Sequence, residues 1–113
     1  MDLNLKGKNA LVCGGSSGIG KASAIELSRL GANVTLLARN PASLADALTA
    51  LNHEPGQEHD FIIADMTNHE DLHQKIFGLT TQKKIHILVN NTGGPPAGSI
   101  LDADIVAFKQ AFE

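Results

Sequence analysis

The sequence lacks several residues on which common classes of protein depend. Its 113 residues include no tyrosine, no tryptophan and a single cysteine, Cys13. One cysteine cannot form a disulfide within the chain, so a fold held together by internal disulfides is excluded. Cys13 also lies inside an apolar run. This use of cysteine is typical of a reducing compartment, so we expect a cytoplasmic protein.

Positive charge and long apolar runs are also scarce. Lys and Arg number 9 against 12 Asp and Glu, for a formal net charge of −3. Because the basic residues are scattered, we expect neither a nucleic-acid partner nor an anionic membrane surface. Residues 1–8 lack the apolar core of a signal peptide, and no later run approaches the length of a membrane span. With 42% hydrophobic residues, the chain is long enough for one domain with its own core.

Along the sequence, the apolar residues alternate regularly between a spacing typical of strands and a spacing typical of helices. Short apolar runs, typical of strands covered on both faces, lie at residues 10–13, 34–38, 61–64 and 85–89. Segments with helical spacing follow each run, with apolar positions at Ile19, Ala22 and Ile25, at Leu44, Leu48 and Leu51, at Leu72, Ile76 and Leu79, and at Ile105, Phe108 and Phe112. The pattern predicts strands and helices in strict alternation.

Residues at the element boundaries support this interpretation. Gly31 is suited to the left-handed turn that ends a first helix. Asn40 followed by Pro41 predicts the N-cap and first position of a second helix. Thr67 and Glu70 have the spacing of a capping box at the start of a third, where Asn68 is the alternative N-cap.

Strict alternation predicts an α/β fold with right-handed crossovers, in which helices cover both faces of a parallel sheet. The expected strand order is 3-2-1-4, which is half of a Rossmann-type, doubly wound dinucleotide-binding sheet. We therefore expect residues 1–113 to form a single domain that stops within or just after its fourth helix.

The joint between the first strand and the first helix, residues 12–24, reads VCGGSSGIGKASA. Gly14, Gly18 and Gly20 remove side chains where helix amides and the positive end of the helix dipole attract an anion. Their spacing differs from the G-x-G-x-x-G fingerprint but meets the same needs: a tight turn, close approach of the backbone to pyrophosphate, and close helix packing. Many tight turns simply need glycine, yet the position between strand and helix favours a dinucleotide site.

A second feature bears on which dinucleotide is bound. In this fold an acidic residue at the end of the second strand takes the ribose hydroxyls of NAD, whereas an arginine accommodates the 2′-phosphate of NADP. Here the strand ends with Arg39, and no carboxylate lies between Glu26 and Asp46. A guanidinium forms strong, charge-assisted bonds to phosphate. The sequence favours NADP over NAD, although Arg39 as a solvated loop charge is the alternative.

Three motifs in this order resemble the N-terminal half of a short-chain dehydrogenase/reductase, in the group that includes 3-oxoacyl-carrier-protein reductases. They are residues 13–20 (CGGSSGIG), Asp65 after the third strand and residues 90–93 (NNTG) after the fourth. Two positions depart from the family pattern: Cys13 stands where Thr is usual, and Thr92 where Ala is usual. Neither change removes a donor that must touch phosphate, so we expect altered loop rigidity more than lost binding.

The resemblance implies a set of cofactor-binding residues. Arg39 is expected to hold the 2′-phosphate and Asp65 and Met66 the adenine edge. Asn91, with Gly93 beside it, is expected near the region leading to nicotinamide. The pyrophosphate and adenosine ribose would be held by the turn that comprises Gly14, Gly15, Ser16, Ser17, Gly18, Ile19 and Gly20.

The resemblance also implies an oxidoreductase that transfers hydride between NADP(H) and a small-molecule carbonyl or alcohol. The family's catalytic Tyr, Lys and Ser have no counterpart in this chain, which contains no tyrosine, and its catalytic Asn would follow just past Glu113. We therefore expect no catalytic residue here, and nucleotide binding without activity. The corresponding fourth helix pairs subunits in the family, which implies a homo-oligomer. A stand-alone nucleotide-binding or interaction module without chemistry is the alternative.

A zinc metalloprotease is a more remote alternative. His69, Glu70 and His73 form a literal H-E-x-x-H, which in such enzymes places two zinc ligands one helical turn apart with Glu as general base. No third ligand is evident, and acidic residues in a first turn are well explained by the helix dipole. The sequence favours a solvated helix start, and no metal.

Overall fold

The protein's structure, a computed structural model, describes residues 4–91. The fourth predicted helix, with Ile105, Phe108 and Phe112, and the predicted cofactor residue Gly93 lie outside the described residues. The strands are β1 (Asn9–Cys13), β2 (Asn33–Ala38), β3 (Asp60–Ile63) and β4 (Ile87–Asn90). The helices are α1 (Gly18–Arg29), α2 (Pro41–Thr49) and α3 (His69–Gln82).

The strands form one parallel sheet in the order β3-β2-β1-β4. β1 is central, and its Cys13 is in register with Leu37 of β2 and Asn90 of β4. The predicted fold class and strand order are therefore confirmed. The carboxyl ends of all four strands lie at one edge of the sheet and their amino ends at the other.

Side chains that alternate along β1 and β2 divide the core into two layers. Leu11 and Leu37 point to one face, where they pack with Leu72, Ile76 and Leu79 of α3. Val12 and Leu36 point to the other face, where they pack with residues of α1 and α2 that include Ala24, Leu44 and Ala47. Helices thus cover both faces, as the sequence predicts.

The predicted apolar stripe of α1 is wrong at two of its three positions, and only Ile25 packs against the core. Ile19 is 74% exposed and Ala22 is also exposed, whereas the buried residues of α1 are Gly20, Ala24 and Ser28. Small residues form this face because α1 lies close to the sheet. The face therefore cannot be recognised from the spacing of large apolar residues. Ser28 is satisfied within the fold: its Oγ donates to the carbonyl of Ile25 at 2.7 Å and accepts the N–H of Asn52 at 2.9 Å.

Two of the three predicted boundary features are confirmed. Gly31 has φ +104°, as a left-handed residue after α1 requires. Asn40 caps α2, because its Oδ1 accepts the N–H groups of Ala42 and Ser43 at 2.9 and 3.1 Å.

The capping box at Thr67 and Glu70 is wrong. The N-cap of α3 is Asn68, whose Oδ1 accepts the N–H of Asp71 at 3.1 Å. Thr67 instead bonds to Asp65. Asn and Thr are both good capping residues, so the sequence alone does not separate two adjacent candidates.

The longest described helix, α3, has 14 residues. Within residues 4–91, no helix combines the length and the apolar character that a membrane crossing requires.

Side chains join the strands at the amino-terminal edge of the sheet. His86 Nδ1 accepts the N–H of Asn9 at 3.0 Å, and His59 Nδ1 accepts the N–H of Val34 at 3.0 Å. Because a backbone N–H can only donate, each Nδ1 must lack a proton. Both contacts therefore require the neutral imidazole.

The contact at His86 predicts that stability depends on pH. Burial lowers the pKa of His86 below its usual 6.5, and the positive charges of Lys8 and Lys84 add to this effect. The fold therefore favours the neutral ring, so the stabilisation is complete above about pH 6.5 and is lost as the pH falls below it. We expect the urea midpoint of unfolding to decrease between pH 7.5 and pH 5.5.

His86→Asn offers a matched test, because an Asn side chain presents an acceptor oxygen without titrating in this range. The variant should lose less of its urea midpoint than the parent protein over the same pH interval. An equal loss in both proteins would show that His86 does not contribute to the pH dependence.

Candidate functional site

The predicted site residues come together at the carboxyl-terminal edge of the sheet. Gly14 follows β1, Arg39 follows β2, Asp65 lies two residues past the end of β3, and Asn91 follows β4. In an open parallel sheet, ligands bind in the crevice outside this edge. The order β3-β2-β1-β4 places Asp65 and Arg39 on one side of the glycine turn and Asn91 on the other.

The turn after β1 is packed too closely for side chains. Gly14 has φ +74°, and its N–H donates to the carbonyl of Leu37 at 2.8 Å. A Cβ on Gly14 would collide with the carbonyl oxygen of Asn91, and a Cβ on Gly20 would collide with that of Gly14. A Cβ on Gly15 would lie 2.8 Å from Leu36 Cδ2. Gly14 and Gly20 are required because α1 and the end of β4 both approach the turn, whereas a Cβ on Gly15 would first meet the movable end of a side chain.

The first turn of α1 is open to an anion. Ser17 is the N-cap, in an extended conformation, and its side chain makes no capping hydrogen bond. The first turn contains no acidic residue, so neither a side-chain oxygen nor a carboxylate competes for the positive end of the dipole. Ser17, Gly18 and Ile19 are exposed and Ser16 is partly buried. An anion can therefore approach the backbone from solvent.

Arg39 and Asp65 are close enough to interact electrostatically. Arg39 is exposed. The pKa of Asp65 is held below its ordinary value of 3.8, first by the hydrogen bonds from the Thr67 hydroxyl and N–H and then by the charge of Arg39. The carboxylate of Asp65 is therefore ionised at neutral pH, within electrostatic reach of the Arg39 guanidinium.

Asn91 and Met66 take up different positions. The N–H of Asn91 donates to the carbonyl of Cys13 at 3.0 Å, and its side chain lies against the start of α1, near Gly20. Met66 is partly buried and packs against the core beneath α3. A contact from Met66 to a bound base is thus limited to its backbone and the exposed part of its side chain.

Two residues at this edge were not anticipated as site residues. Thr67 donates to Asp65 Oδ1 through its N–H at 2.9 Å and its hydroxyl at 2.6 Å. Asp71 Oδ2 accepts the N–H of Asp65 at 3.2 Å. The spacing of Asp65 and Thr67, i and i+2, is the available signal, because it is typical of a side chain that bonds its own turn.

A cavity of about 520 Å³ lies at the opposite, amino-terminal edge of the sheet. It is bordered by the segments around Gly7, Gly31 and Gly56, and none of the predicted site residues lines it. The size of this cavity does not make it the candidate site, because the fold directs ligands to the carboxyl ends of the strands.

The structure offers no support for the zinc site. His69 and His73 are exposed, and their rings stack with centroids 6.5 Å apart. Among residues 4–91, no group of three or more His, Cys, Asp or Glu side chains is placed to hold a metal ion. Zinc coordination usually requires three or four protein ligands, and the described residues supply no such set around this motif.

Comparison with protein families and with curated sequences identifies relatives of this chain. A family model described as short chain dehydrogenase matches residues 8–113. The human dehydrogenase/reductase SDR family member 12 is 33% identical over 94 residues, which is 82% of this chain and 30% of that protein. L-rhamnose 1-dehydrogenase (NADP(+)) of Thermoplasma acidophilum is 30% identical over 112 residues, which is 98% of this chain and 44% of that protein. The chain thus spans less than half the length of these relatives.

Solved structures show the same fold. The L-sorbose reductase of Gluconobacter frateurii, complexed with NADPH and L-sorbose, is 32% identical and superposes with a TM-score of 0.73 over 83% of this chain and 36% of that one.

The packing at Gly20 predicts a large effect of a single methyl group. Gly20→Ala places a Cβ against the carbonyl oxygen of Gly14, so α1 must move away from the turn. Overpacking of this kind costs about 1–3 kcal/mol. We expect Gly20→Ala to lower the free energy of unfolding, measured by urea titration, by about that amount.

Gly78→Ala is the matched control, because Gly78 is also a helical glycine but a Cβ there would contact nothing within 4 Å. Alanine is the better helix former by about 1 kcal/mol, so this variant should be as stable as the parent or more so. If the Gly20→Ala and Gly78→Ala variants were equally stable, the close approach of α1 to the turn would be refuted.

Proposed function

The chain belongs to the short-chain dehydrogenase/reductase family, and on that basis we propose that it is the NADP(H)-binding part of an oxidoreductase. The observation that carries this proposal is the turn between β1 and α1. Side chains on Gly14 and Gly20 are excluded by contact with backbone carbonyls, and the helix beyond them begins without a side-chain cap. A diphosphate fits such a turn, because it needs backbone N–H groups, a positive dipole end and an unobstructed approach.

The residues at the neighbouring strand ends suit the remaining parts of the cofactor. Residues 14–20 would hold the pyrophosphate and the adenosine ribose. Asp65, with Met66, would face the adenine, and Asn91 would lie toward the nicotinamide. Gly93, which is outside the described residues, is retained in this proposal on the resemblance alone.

The preference for NADP rests on Arg39. Its exposed guanidinium follows β2 directly, where the fold brings the adenosine ribose. A guanidinium donates paired, charge-assisted hydrogen bonds to a phosphate. NADP(+) in the name of the Thermoplasma relative and NADPH in the sorbose reductase complex are in keeping with this preference.

The reaction proposed for the whole protein is hydride transfer between NADP(H) and a carbonyl or alcohol. The cofactor would supply hydride to a carbonyl or accept it from an alcohol, and the residues of this chain would bind and orient it. The family's acid/base chemistry depends on a tyrosine, and these 113 residues contain none. We therefore propose that residues 1–113 act as one cofactor-binding domain that does not catalyse the reaction by itself.

Three finer expectations remain predictions. The relatives named above include a rhamnose dehydrogenase and a sorbose reductase, so they do not single out the 3-oxoacyl substrate that the motif resemblance implies. Self-association through residues 105–112 is expected from the family resemblance, and a cytoplasmic location from the use of cysteine. A Tyr-x-x-x-Lys encoded after Glu113 would support hydride transfer, whereas a stop codon there would favour a nucleotide-binding module.

Arg39→Ala tests the choice of cofactor. Removing the guanidinium should weaken NADPH binding at least tenfold, because a hydrogen bond to a charged group contributes about 1.5–3 kcal/mol. NADH has no 2′-phosphate, so its affinity should change little. Both dissociation constants can be measured by titration of nicotinamide fluorescence.

Arg29→Ala is the control for charge, since Arg29 is exposed at the far end of α1 and pairs with Glu26 at 2.8 Å. It should leave both affinities unchanged. Equal affinity of the parent protein for NADH and NADPH would refute the NADP assignment while leaving dinucleotide binding intact.

A further inference from the structure

The segments that lead into β1 and β4 are joined by an exchange of hydrogen bonds at the amino-terminal edge of the sheet. The N–H of Asn9 donates to His86 Nδ1 at 3.0 Å, and the N–H of His86 donates to the carbonyl of Asn9 at 2.8 Å. Asn9 Nδ2 also donates to the carbonyl of Lys84 at 2.8 Å. These two segments, far apart in the sequence, are therefore fixed against each other.

Lys8 precedes this exchange, and its backbone is held on both sides. Its N–H donates to the carbonyl of Leu5 at 2.9 Å, and its carbonyl accepts the N–H of Asn33 at 2.9 Å. Lys8 is exposed, and within residues 4–91 its ammonium group makes no ion pair. A positive charge is thus presented to solvent from a fixed backbone.

The charges of Lys8 and Lys84 both act on the ring of His86. Burial lowers the pKa of His86 below its ordinary value of 6.5, and the two ammonium groups add to this effect. In the described part of the chain, no carboxylate opposes them at this ring. Lys83 belongs elsewhere, since its Nζ lies 3.6 Å from Asp60 Oδ2. The surroundings of His86 are therefore cationic.

The ring of His86 adds a hydrogen-bond donor to these two charges. Because Nδ1 accepts the N–H of Asn9, the proton of the neutral imidazole is on Nε2. Among residues 4–91 this second N–H has no acceptor, and His86 is exposed. We call Lys8, Lys84 and His86 the amino-edge cluster. It combines two ammonium groups with one neutral N–H donor.

We propose that the amino-edge cluster binds a phosphate group. A phosphate dianion has three acceptor oxygens, and the cluster offers three donors, two of them charged. Hydrogen bonds between a charged donor and a phosphate oxygen are the strong ones. Because Lys8 precedes β1 and the glycine turn follows it, the cluster lies at the opposite end of the strand from the proposed cofactor site. The inference does not depend on the proposed function.

The test measures where phosphate binds the 113-residue chain, labelled with ¹⁵N, by amide shifts at pH 7.5 and constant low ionic strength. The probes are inorganic phosphate and glycerol phosphate, with sodium chloride as the reference salt. The amides of residues 8–9 and 84–86 should shift with a saturable dissociation constant in the millimolar range, because exposed ion pairs are weak and screened by salt. The amides of residues 14–20 report the glycine turn separately.

The two probes distinguish the sources of the phosphate group. Binding of both would indicate a phosphorylated molecule as the ligand, since an ester then fits the cluster. Binding of inorganic phosphate alone would indicate the free anion. Either result supports the site.

Lys8→Gln removes one charge and keeps most of the stem, and it should weaken phosphate binding by about threefold or more, the loss expected for one exposed ion pair. Lys8→Arg keeps the charge and should retain the parental affinity. Lys75→Gln is the matched control, because Lys75 is an exposed residue of α3 outside the cluster. It should leave the dissociation constant unchanged.

The proposal would be overturned if neither probe moved the amides of residues 8–9 and 84–86. Equal weakening by Lys8→Gln and Lys75→Gln would also overturn it, because the attraction would then depend only on net charge. Shifts confined to residues 14–20 would place phosphate at the glycine turn, which would favour the proposed function and refute the amino-edge site. A failure to bind NADPH would refute the proposed function and leave this test intact.

Discussion

The contact on which the site depends is that between the backbone of the turn after β1 and the first turn of α1. The Cα of Gly20 lies so close to the carbonyl of Gly14 that no side chain fits between them. This distance brings the start of the helix to the end of the central strand. As a result, the amides of that first turn, at the positive end of the helix dipole, face the crevice where four strand ends meet.

The two edges of the sheet have different chemistry. At the amino-terminal edge, side chains of one segment bind the backbone of another: His86 binds Asn9, His59 binds Val34, and Asn9 Nδ2 donates to the carbonyl of Lys84 at 2.8 Å. Polar groups there satisfy one another and hold the strands in register. At the carboxyl-terminal edge, Arg39 is exposed and the N-cap of α1 makes no side-chain bond. One edge therefore stabilises the sheet, and the other is available to the proposed cofactor.

Most of the fold could be predicted from local patterns in the sequence. Apolar runs predict all four strands, although the first three begin one residue earlier than expected and the fourth, at Ile87, two residues later. The stripe of α3 is correct because its partners are large side chains across an open face of the sheet. The stripe of α1 is wrong because the helix packs too closely for large residues, so Gly20, Ala24 and Ser28 face inward and Ile19 faces solvent. Hydrophobic periodicity detects a buried face only when that face is made of apolar side chains.

The sequence by itself determined the parallel α/β architecture, the strand order and the position of the glycine turn, because these depend on periodicity, on handed crossovers and on residues adjacent in the chain. It also identified Arg39 and Asp65 as residues at strand ends. Only the tertiary structure decided that these two side chains interact, that Asn91 packs against the glycine turn, and that Thr67 binds Asp65 rather than capping α3. The first two contacts join residues that the register of separate strands brings together. The third depends on a choice between Thr67 and Asn68, two adjacent residues that are equally suited to cap a helix. A local sequence pattern determines neither outcome.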